Sequence, residues 1–149
     1  MKLKPRLQAI ADLIKPNSKV IDIGADHGLL DIYLAKYKNC SCLATDISPQ
    51  CIEKAKQNAE KYQANIETKV TNGLEGIKLD NEIIVMSGMG TRLIKKIINR
   101  KISNDLIILS HTNIEELKEF LKEINYKVVE EKIINEKKEY KIIYAKTTK

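Results

Sequence analysis

Two hydrophobic periodicities alternate along this chain, and the alternation restricts its fold more than any other feature. Apolar residues recur at helical spacing in five segments, approximately 3–15, 28–37, 48–62, 90–100 and 113–124. Short runs rich in Val and Ile lie between them, approximately at 19–23, 42–46, 65–70, 82–87 and 105–109. Because helices that separate successive strands act as crossovers, this order predicts an α/β fold with a parallel sheet.

The end of the chain has a different pattern. The segments "YKVVEEKII" and "EYKIIYA" are strand-like, and the link between them is "NEKK", which predicts an antiparallel hairpin. We therefore expect one domain over residues 1–149, with a mostly parallel seven-stranded sheet. No apolar run is long enough for a membrane span, and the N-terminus has the pattern of an amphipathic helix rather than a signal peptide. A cytoplasmic protein without membrane contact is expected.

The loop "VIDIGADHGLL" follows the first predicted strand. Gly24 and Gly28 suit a tight turn and close helix packing, but Asp26 stands where a nucleotide-binding loop usually has a third glycine. A carboxylate there would repel the pyrophosphate of a dinucleotide. Together with Asp22, it favours a cationic cofactor. S-adenosylmethionine carries a sulfonium and an ammonium group and no phosphate.

Polar residues also follow the next three strands, where doubly wound sheets bind ligands. Asp46, which precedes Ile47, can accept hydrogen bonds from ribose hydroxyls, or it can cap the next helix. Asn72 and Gly73 suit an adenine edge, although the same pair is common in turns. The turn "SGMG" at residues 87–90 could approach the reacting atoms.

The motifs "DIGADHGLL", "ATDIS", "TNGL" and "MSGMGTRLI", followed by the hairpin, resemble those of class I methyltransferases. More narrowly, they resemble the bacterial tRNA (adenine(22)-N1)-methyltransferases. The resemblance implies a Rossmann-like fold, S-adenosylmethionine as methyl donor, S-adenosylhomocysteine as product, and transfer to N1 of adenine 22. The chain departs from that family at Thr91, where a glycine is usual. The family's C-terminal helical extension does not follow Lys149, so the chain is either truncated or binds tRNA with the catalytic domain alone.

Roles at the site follow from the strand ends and from this resemblance. The predicted cofactor-binding residues are Asp22, Gly24, Asp26, Gly28, Asp46, Ile47, Asn72, Gly73 and Gly88. Neutral adenine N1 is nucleophilic, so the protein's main tasks are positioning the base and stabilising its developing positive charge. We predict Asp26 and His27 as the catalytic residues. The alternative is that Asp26 only caps the following helix, and Asp22 could equally support the loop without touching the cofactor.

The net charge of +6 and the pI of about 9.1 favour a polyanionic partner, here tRNA. We predict phosphate contacts from the first helix and from the helix after the 87–90 turn, although charged helix faces are often only solvated. These residues are Lys4, Arg6, Arg92, Lys95 and Lys96, with Arg100 and Lys101 following in the same segment. One Phe and no Trp leave few aromatic rings for base stacking, and Tyr33, Tyr126, Tyr140 and Tyr144 lie in core-like patterns.

The three cysteines form no CxxC pair, so we expect neither a disulfide framework nor a metal site. The sequence leaves the oligomeric state open, with a monomer favoured. Two other functions remain open at this point. One is a methyltransferase for another RNA or a small substrate, and the other is a catalytically silent module that binds cofactor or RNA.

Overall fold

The computed structural model of the chain describes residues 1–98 and 102–148, which form a twisted sheet between two layers of helices. The helices are α1 (Pro5–Asp12), α2 (Leu29–Lys38), α3 (Pro49–Lys61), α4 (Thr91–Ile97) and α5 (Ile114–Glu123). The strands are β1 (Lys19–Ile23), β2 (Ser41–Asp46), β3 (Glu67–Val70), β4 (Ile83–Met86), β5 (Leu106–Ser110), β6 (Tyr126–Glu136) and β7 (Lys138–Thr147). The predicted α/β fold is confirmed.

The sheet contains seven strands within the described residues, in the order β3-β2-β1-β4-β5-β7-β6. Strands β1 to β5 pair in parallel, whereas β7 pairs antiparallel with both β5 and β6. The order changes direction between β1 and β4, and the carboxyl ends of these neighbours therefore border a crevice. The loops after β1 and β4 meet at this crevice, which is the place where such sheets bind ligands.

Side chains that alternate along the strands fill a separate core on each face of the sheet. Val85 and Ile107 pack toward α1 and α2, together with Ile10 of α1 and Leu34 of α2. Their neighbours on the strands pack toward α4 and α5 on the opposite face. Both faces of β4 and β5 are covered, which explains why these strands appear in the sequence as continuous apolar runs.

Helix α1 is shorter than the predicted segment 3–15. Pro5 occupies its first turn, and Lys4 before it is extended, with φ −63° and ψ 154°. A proline at the first helical position restricts the preceding residue to extended backbone. The prediction that Lys4 lies within the first helix is therefore wrong, whereas Arg6 does lie there.

The C-terminal hairpin is tighter than predicted. The strands stay paired as far as Glu136 and Lys138, so only Lys137 lies between them, with φ +66°. The four-residue link "NEKK" is thus mostly part of the strands. The helix predicted over 90–100 ends at Ile97, and Arg100 and Lys101 lie outside the described residues. Of the helices in 1–98 and 102–148, none is long and apolar enough to span a membrane.

Candidate active site

The loop between β1 and α2 turns through three residues with left-handed backbone. These are Gly24 (φ +75°), Asp26 (φ +54°) and Gly28 (φ +74°). A Cβ atom on Gly28 would lie 2.9 Å from Cβ of Ala55 in α3, so the approach of the two helices requires glycine there. Aspartate is one of the few other residues that tolerate this backbone region. Asp26 therefore keeps a glycine-like turn and adds a carboxylate to it.

Asp46 ties this loop to the end of β2. Its Oδ2 accepts a hydrogen bond from the Asp26 backbone N–H at 3.0 Å, and its Oδ1 accepts one from the Ser48 N–H at 3.0 Å. The cap of α3 is Ser48, whose Oγ accepts from the Cys51 N–H at 3.2 Å, so the alternative of Asp46 as the helix cap is wrong. Each carboxylate oxygen of Asp46 keeps a further lone pair, which a ribose hydroxyl could use.

The Asp26 side chain is 74% exposed and does not cap α2, whose N-cap is Gly28. The capping role considered for Asp26 is therefore wrong. Its Oδ1 lies 3.6 Å from His27 Nε2 and accepts a hydrogen bond from the Cys51 thiol at 3.6 Å. The His27 carbonyl accepts a hydrogen bond from Asn58 at 3.0 Å, which fixes the loop against α3.

The ligand atoms of Asp26, His27 and Cys51 lie within 4.8 Å of one another, close enough to share a metal ion. Exposed groups of this kind are common without an ion, and their proximity alone assigns no metal to the site.

Two buried carboxyl groups, Asp22 on β1 and Asp31 on α2, lie together beneath the loop. Burial raises the pKa of Asp31 to about 6. Burial, and then the adjacent Asp31 carboxyl, raise the pKa of Asp22 well above its ordinary value. One Asp22 oxygen and both Asp31 oxygens receive no hydrogen bond from the described residues. A proton on either carboxyl would let the two groups hydrogen-bond to each other, whereas burial is the main cause of both raised pKa values.

A cavity of about 380 Å³, called here the acidic cleft after Asp22 and Asp26, lies at the carboxyl ends of β1 and β4, and its walls also include Lys2. Its walls come from the β1–α2 loop, the end of β4 and the N-terminal segment. The predicted residues that line it are Asp22, Gly24, Asp26, His27, Gly88, Lys4 and Arg6. Its size suits a cofactor-sized ligand.

The other predicted cofactor residues lie outside the walls of the acidic cleft. Asp46 adjoins it through the Asp26 N–H. Ile47 is 69% exposed beyond the end of β2, and Asn72 is exposed beyond the end of β3. A Cβ on Gly73 would lie 3.1 Å from Ile97, so Gly73, like Gly28, permits close packing.

A methyltransferase-domain family model matches residues 3–143 of the chain. This is nearly the whole of the described structure. The chain belongs to the methyltransferase-domain family. Membership of that family agrees with the Rossmann-like fold and with a ligand site at the carboxyl ends of β1 and β4.

Relatives within the methyltransferases carry the name that the sequence motifs predict, so the resemblance is confirmed. The chain is 30% identical over 155 residues to the tRNA (adenine(22)-N(1))-methyltransferase of Bacillus subtilis strain 168, covering 97% of this chain and 65% of the relative. It is 31% identical to M. capricolum TrmK, solved with S-adenosyl-homocysteine, with a TM-score of 0.88 over 100% of this chain and 70% of that one. The chain thus spans about two thirds of these proteins.

A more distant relative acts on a protein. The ribosomal protein L11 methyltransferase of Caldicellulosiruptor bescii is 28% identical over 112 residues, covering 74% of this chain and 37% of the relative. The same methyltransferase domain therefore serves more than one class of substrate among its relatives.

The predicted basic residues divide into paired and exposed groups. Arg6 contacts Glu136 at 2.5 Å, and Lys95 contacts Glu116 at 2.9 Å, so both are held by protein carboxylates. The side chains of Lys4, Arg92 and Lys96 are exposed. The exposed three are the better placed to contact a phosphate backbone, because they need not leave an ion pair.

Sequence reasoning missed two features of this region. Asp31 forms the buried carboxyl pair, and its signal was an acidic residue among the apolar positions of "LLDIYLA". Tyr140, expected in the core, only partly packs against it and lines a second cavity together with His111. No short-range pattern marks Tyr140, because its neighbours in this cavity come from distant parts of the chain.

Proposed function

We propose that the chain transfers a methyl group from S-adenosylmethionine to N1 of adenine 22 in tRNA. The observation that carries the proposal is the β1–α2 loop. Its Asp26 N–H donates to Asp46, so it is not free for a pyrophosphate, and the loop presents carboxylates instead. This loop suits a cationic methyl donor, and the tRNA methyltransferases among the relatives support the choice of substrate.

The cofactor contacts follow from the geometry of the acidic cleft. Asp22 lines the cleft and would accept the cofactor's ammonium group, whose positive charge would favour the ionised form of this buried carboxyl. The free lone pairs of Asp46 would accept the ribose hydroxyls, and Ile47 and Asn72 would flank the adenine. Gly24 and Gly88 leave room for the methionine portion. Bound S-adenosylmethionine supplies an electrophilic methyl carbon on its sulfonium.

Chemistry at N1 needs no prior removal of a proton. The residues of the cleft would have to align N1 with the donor's methyl carbon, and S-adenosylhomocysteine would leave as the positive charge passed to the base. Asp26, exposed at the rim of the cleft, would stabilise that charge and accept a hydrogen bond from the adenine amino group. His27, whose Nε2 lies 3.6 Å from Asp26 Oδ1, would orient the carboxylate.

The RNA would contact three exposed basic residues, Lys4 in the wall of the acidic cleft and Arg92 and Lys96 on α4, which follows the 87–90 turn. Phosphate contacts of this kind release counterions and make binding steeply dependent on salt. Since adenine N1 lies on the Watson–Crick edge, the base has to leave any pairing before it reacts. With tRNA as the substrate, we also propose a cytoplasmic location for the protein.

Methyl transfer to two matched tRNA transcripts tests this function. One transcript carries adenine 22, and the other differs only by guanine at that position. We expect S-adenosylmethionine binding by calorimetry and labelling of the adenine transcript alone. Equal labelling of both transcripts would refute methylation at position 22. Cofactor binding without labelling of either transcript would indicate a module that binds S-adenosylmethionine without catalysing transfer. Labelling of ribosomal protein L11 instead would favour the second class of relative.

Asp26→Asn tests the catalytic assignment, with Glu53→Gln as a matched control on the exposed surface of α3. Loss of a charge that stabilises the transition state should slow transfer by about 10- to 1,000-fold, whereas Glu53→Gln should retain the wild-type rate. A full rate in Asp26→Asn would remove Asp26 from the mechanism.

A further inference from the structure

A second cavity, of about 240 Å³, lies beside the acidic cleft and shares Arg6, Ser87 and Gly88 with it. We call it the aromatic cavity, and its other walls are Leu109 and His111 at the end of β5, Tyr140 on β7 and the rest of the 87–90 turn. Strands β5 and β7 are paired neighbours, so these residues converge although they are far apart in sequence. None of the predicted cofactor contacts except Gly88 reaches this cavity.

The walls of the aromatic cavity combine two aromatic rings with one guanidinium group. The rings of His111 and Tyr140 meet edge to face, with centroids 5.7 Å apart and an angle of 66° between their planes. The Arg6 guanidinium lies 5.3 Å from the Tyr140 ring centroid, and Nζ of Lys138 lies 5.6 Å from the same centroid. Leu109 adds a buried apolar surface. Aromatic rings and guanidinium planes are the groups on which proteins stack unpaired nucleic acid bases.

The aromatic walls are held in place before any ligand binds. Glu136 accepts a hydrogen bond from the Arg6 N–H at 3.2 Å and pairs with its guanidinium at 2.5 Å. Arg6 is thereby fixed over Tyr140 instead of being free for a phosphate.

The shared wall between the two cavities is open. A Cβ atom on Gly88 or Gly90 would meet no protein atom within 4 Å, in contrast to Gly28, where glycine is needed for packing. The 87–90 turn therefore leaves unfilled space where the acidic cleft meets the aromatic cavity. Reacting atoms on the two sides could approach each other across this turn.

We propose that the aromatic cavity receives the target base, an uncharged purine turned out of the RNA, with His111 and the Arg6 guanidinium held over Tyr140 as its stacking surfaces. The purine edge that bears N1 faces Ser87 and Gly88, across which the methyl carbon is transferred. Stacking in the cavity offsets the cost of unpairing the base. This inference rests on the proposed function, and it adds where the base binds and which residues select it.

Tyr140→Ala, Tyr140→Phe and His111→Ala test the cavity, with Tyr37→Ala as the control for loss of a tyrosine that is 50% exposed on α2. Loss of a stacking surface lowers kcat/KM for tRNA by about 5- to 150-fold, while S-adenosylmethionine affinity stays unchanged. Tyr140→Phe retains the ring and the wild-type rate. His111 is exposed, so its variant should fold even if Tyr140→Ala does not.

A direct readout uses tRNA with 2-aminopurine at position 22. Stacking of this base in the wild-type protein quenches its fluorescence, and Tyr140→Ala and His111→Ala should lose that change whereas Tyr37→Ala keeps it. If wild type methylates adenine 22 but both cavity variants match Tyr37→Ala, the cavity inference is overturned and the function stands. If wild type methylates no tRNA with adenine 22, the proposed function fails, and the cavity assignment fails with it.

Discussion

The buried pair Asp22 and Asp31 predicts a stability that falls as pH rises. The pKa of Asp31 is about 6 in the folded protein against an ordinary value of 3.8. The unfolded chain therefore loses this proton first, and stability declines between about pH 4 and pH 6. At about 1.4 kcal/mol for each pKa unit, ionised Asp31 lowers the free energy of unfolding by about 3 kcal/mol above pH 6. The raised pKa of Asp22 extends the decline to higher pH.

Asp31→Asn removes this penalty because an amide has no charge to bury and can donate to Asp22. We expect about 3 kcal/mol of added stability at pH 8, or about 6–12 °C in Tm, and almost no change at pH 4, where the wild-type carboxyl is protonated. Urea unfolding at both pH values measures it. Asp12→Asn, on an exposed residue of α1, is the control and should change little. Equal effects at pH 4 and pH 8, or a loss of stability at pH 8, would refute the reasoning.

Three further predictions concern packing, cofactor and RNA. Gly28→Ala should lower the free energy of unfolding by about 2–5 kcal/mol, because the backbone at this position is left-handed and the added Cβ would clash with Ala55. An unchanged midpoint of urea unfolding would contradict the close packing of α2 and α3 at Gly28. Asp46→Ala should weaken S-adenosylmethionine binding in calorimetry by about 10- to 100-fold, since the Asp26 loop loses its acceptor as well, and unaltered affinity would exclude Asp46 from the site. Arg92→Gln should reduce the slope of tRNA affinity against salt by about one, and an identical slope would remove this phosphate contact.

The architecture could be predicted because local pattern and tertiary environment agree. The sequence predicts strand β1 at residues 19–23 and the structure has it at Lys19–Ile23, because Val20 packs into the core on one face of the sheet and Ile21 and Ile23 pack into the core on the other. The loop after it was predicted to bind ligand from its glycines and its position. That loop lines the acidic cleft because β1 ends at the point where the strand order changes direction.

The parts that sequence did not predict depend on contacts between distant residues. Arg6 and Glu136 are 130 positions apart, and no local pattern indicates that one neutralises the other. Tyr140 fits the alternating pattern of a strand. That pattern predicts which face of the sheet a side chain lies on, but it does not predict which residues from other parts of the chain lie beside it. The pair of Asp22 and Asp31 likewise arises only when α2 packs over β1.

Identification of the methylated nucleoside tests the central claim most directly. A tRNA transcript with adenine 22 is incubated with the protein and S-adenosylmethionine, digested to nucleosides and measured by mass spectrometry, and primer extension locates the modified base. We predict 1-methyladenosine alone and a primer-extension stop at position 22, because a methyl on N1 blocks base pairing. Methylation at the exocyclic amine, at another position or on no base at all would contradict the account.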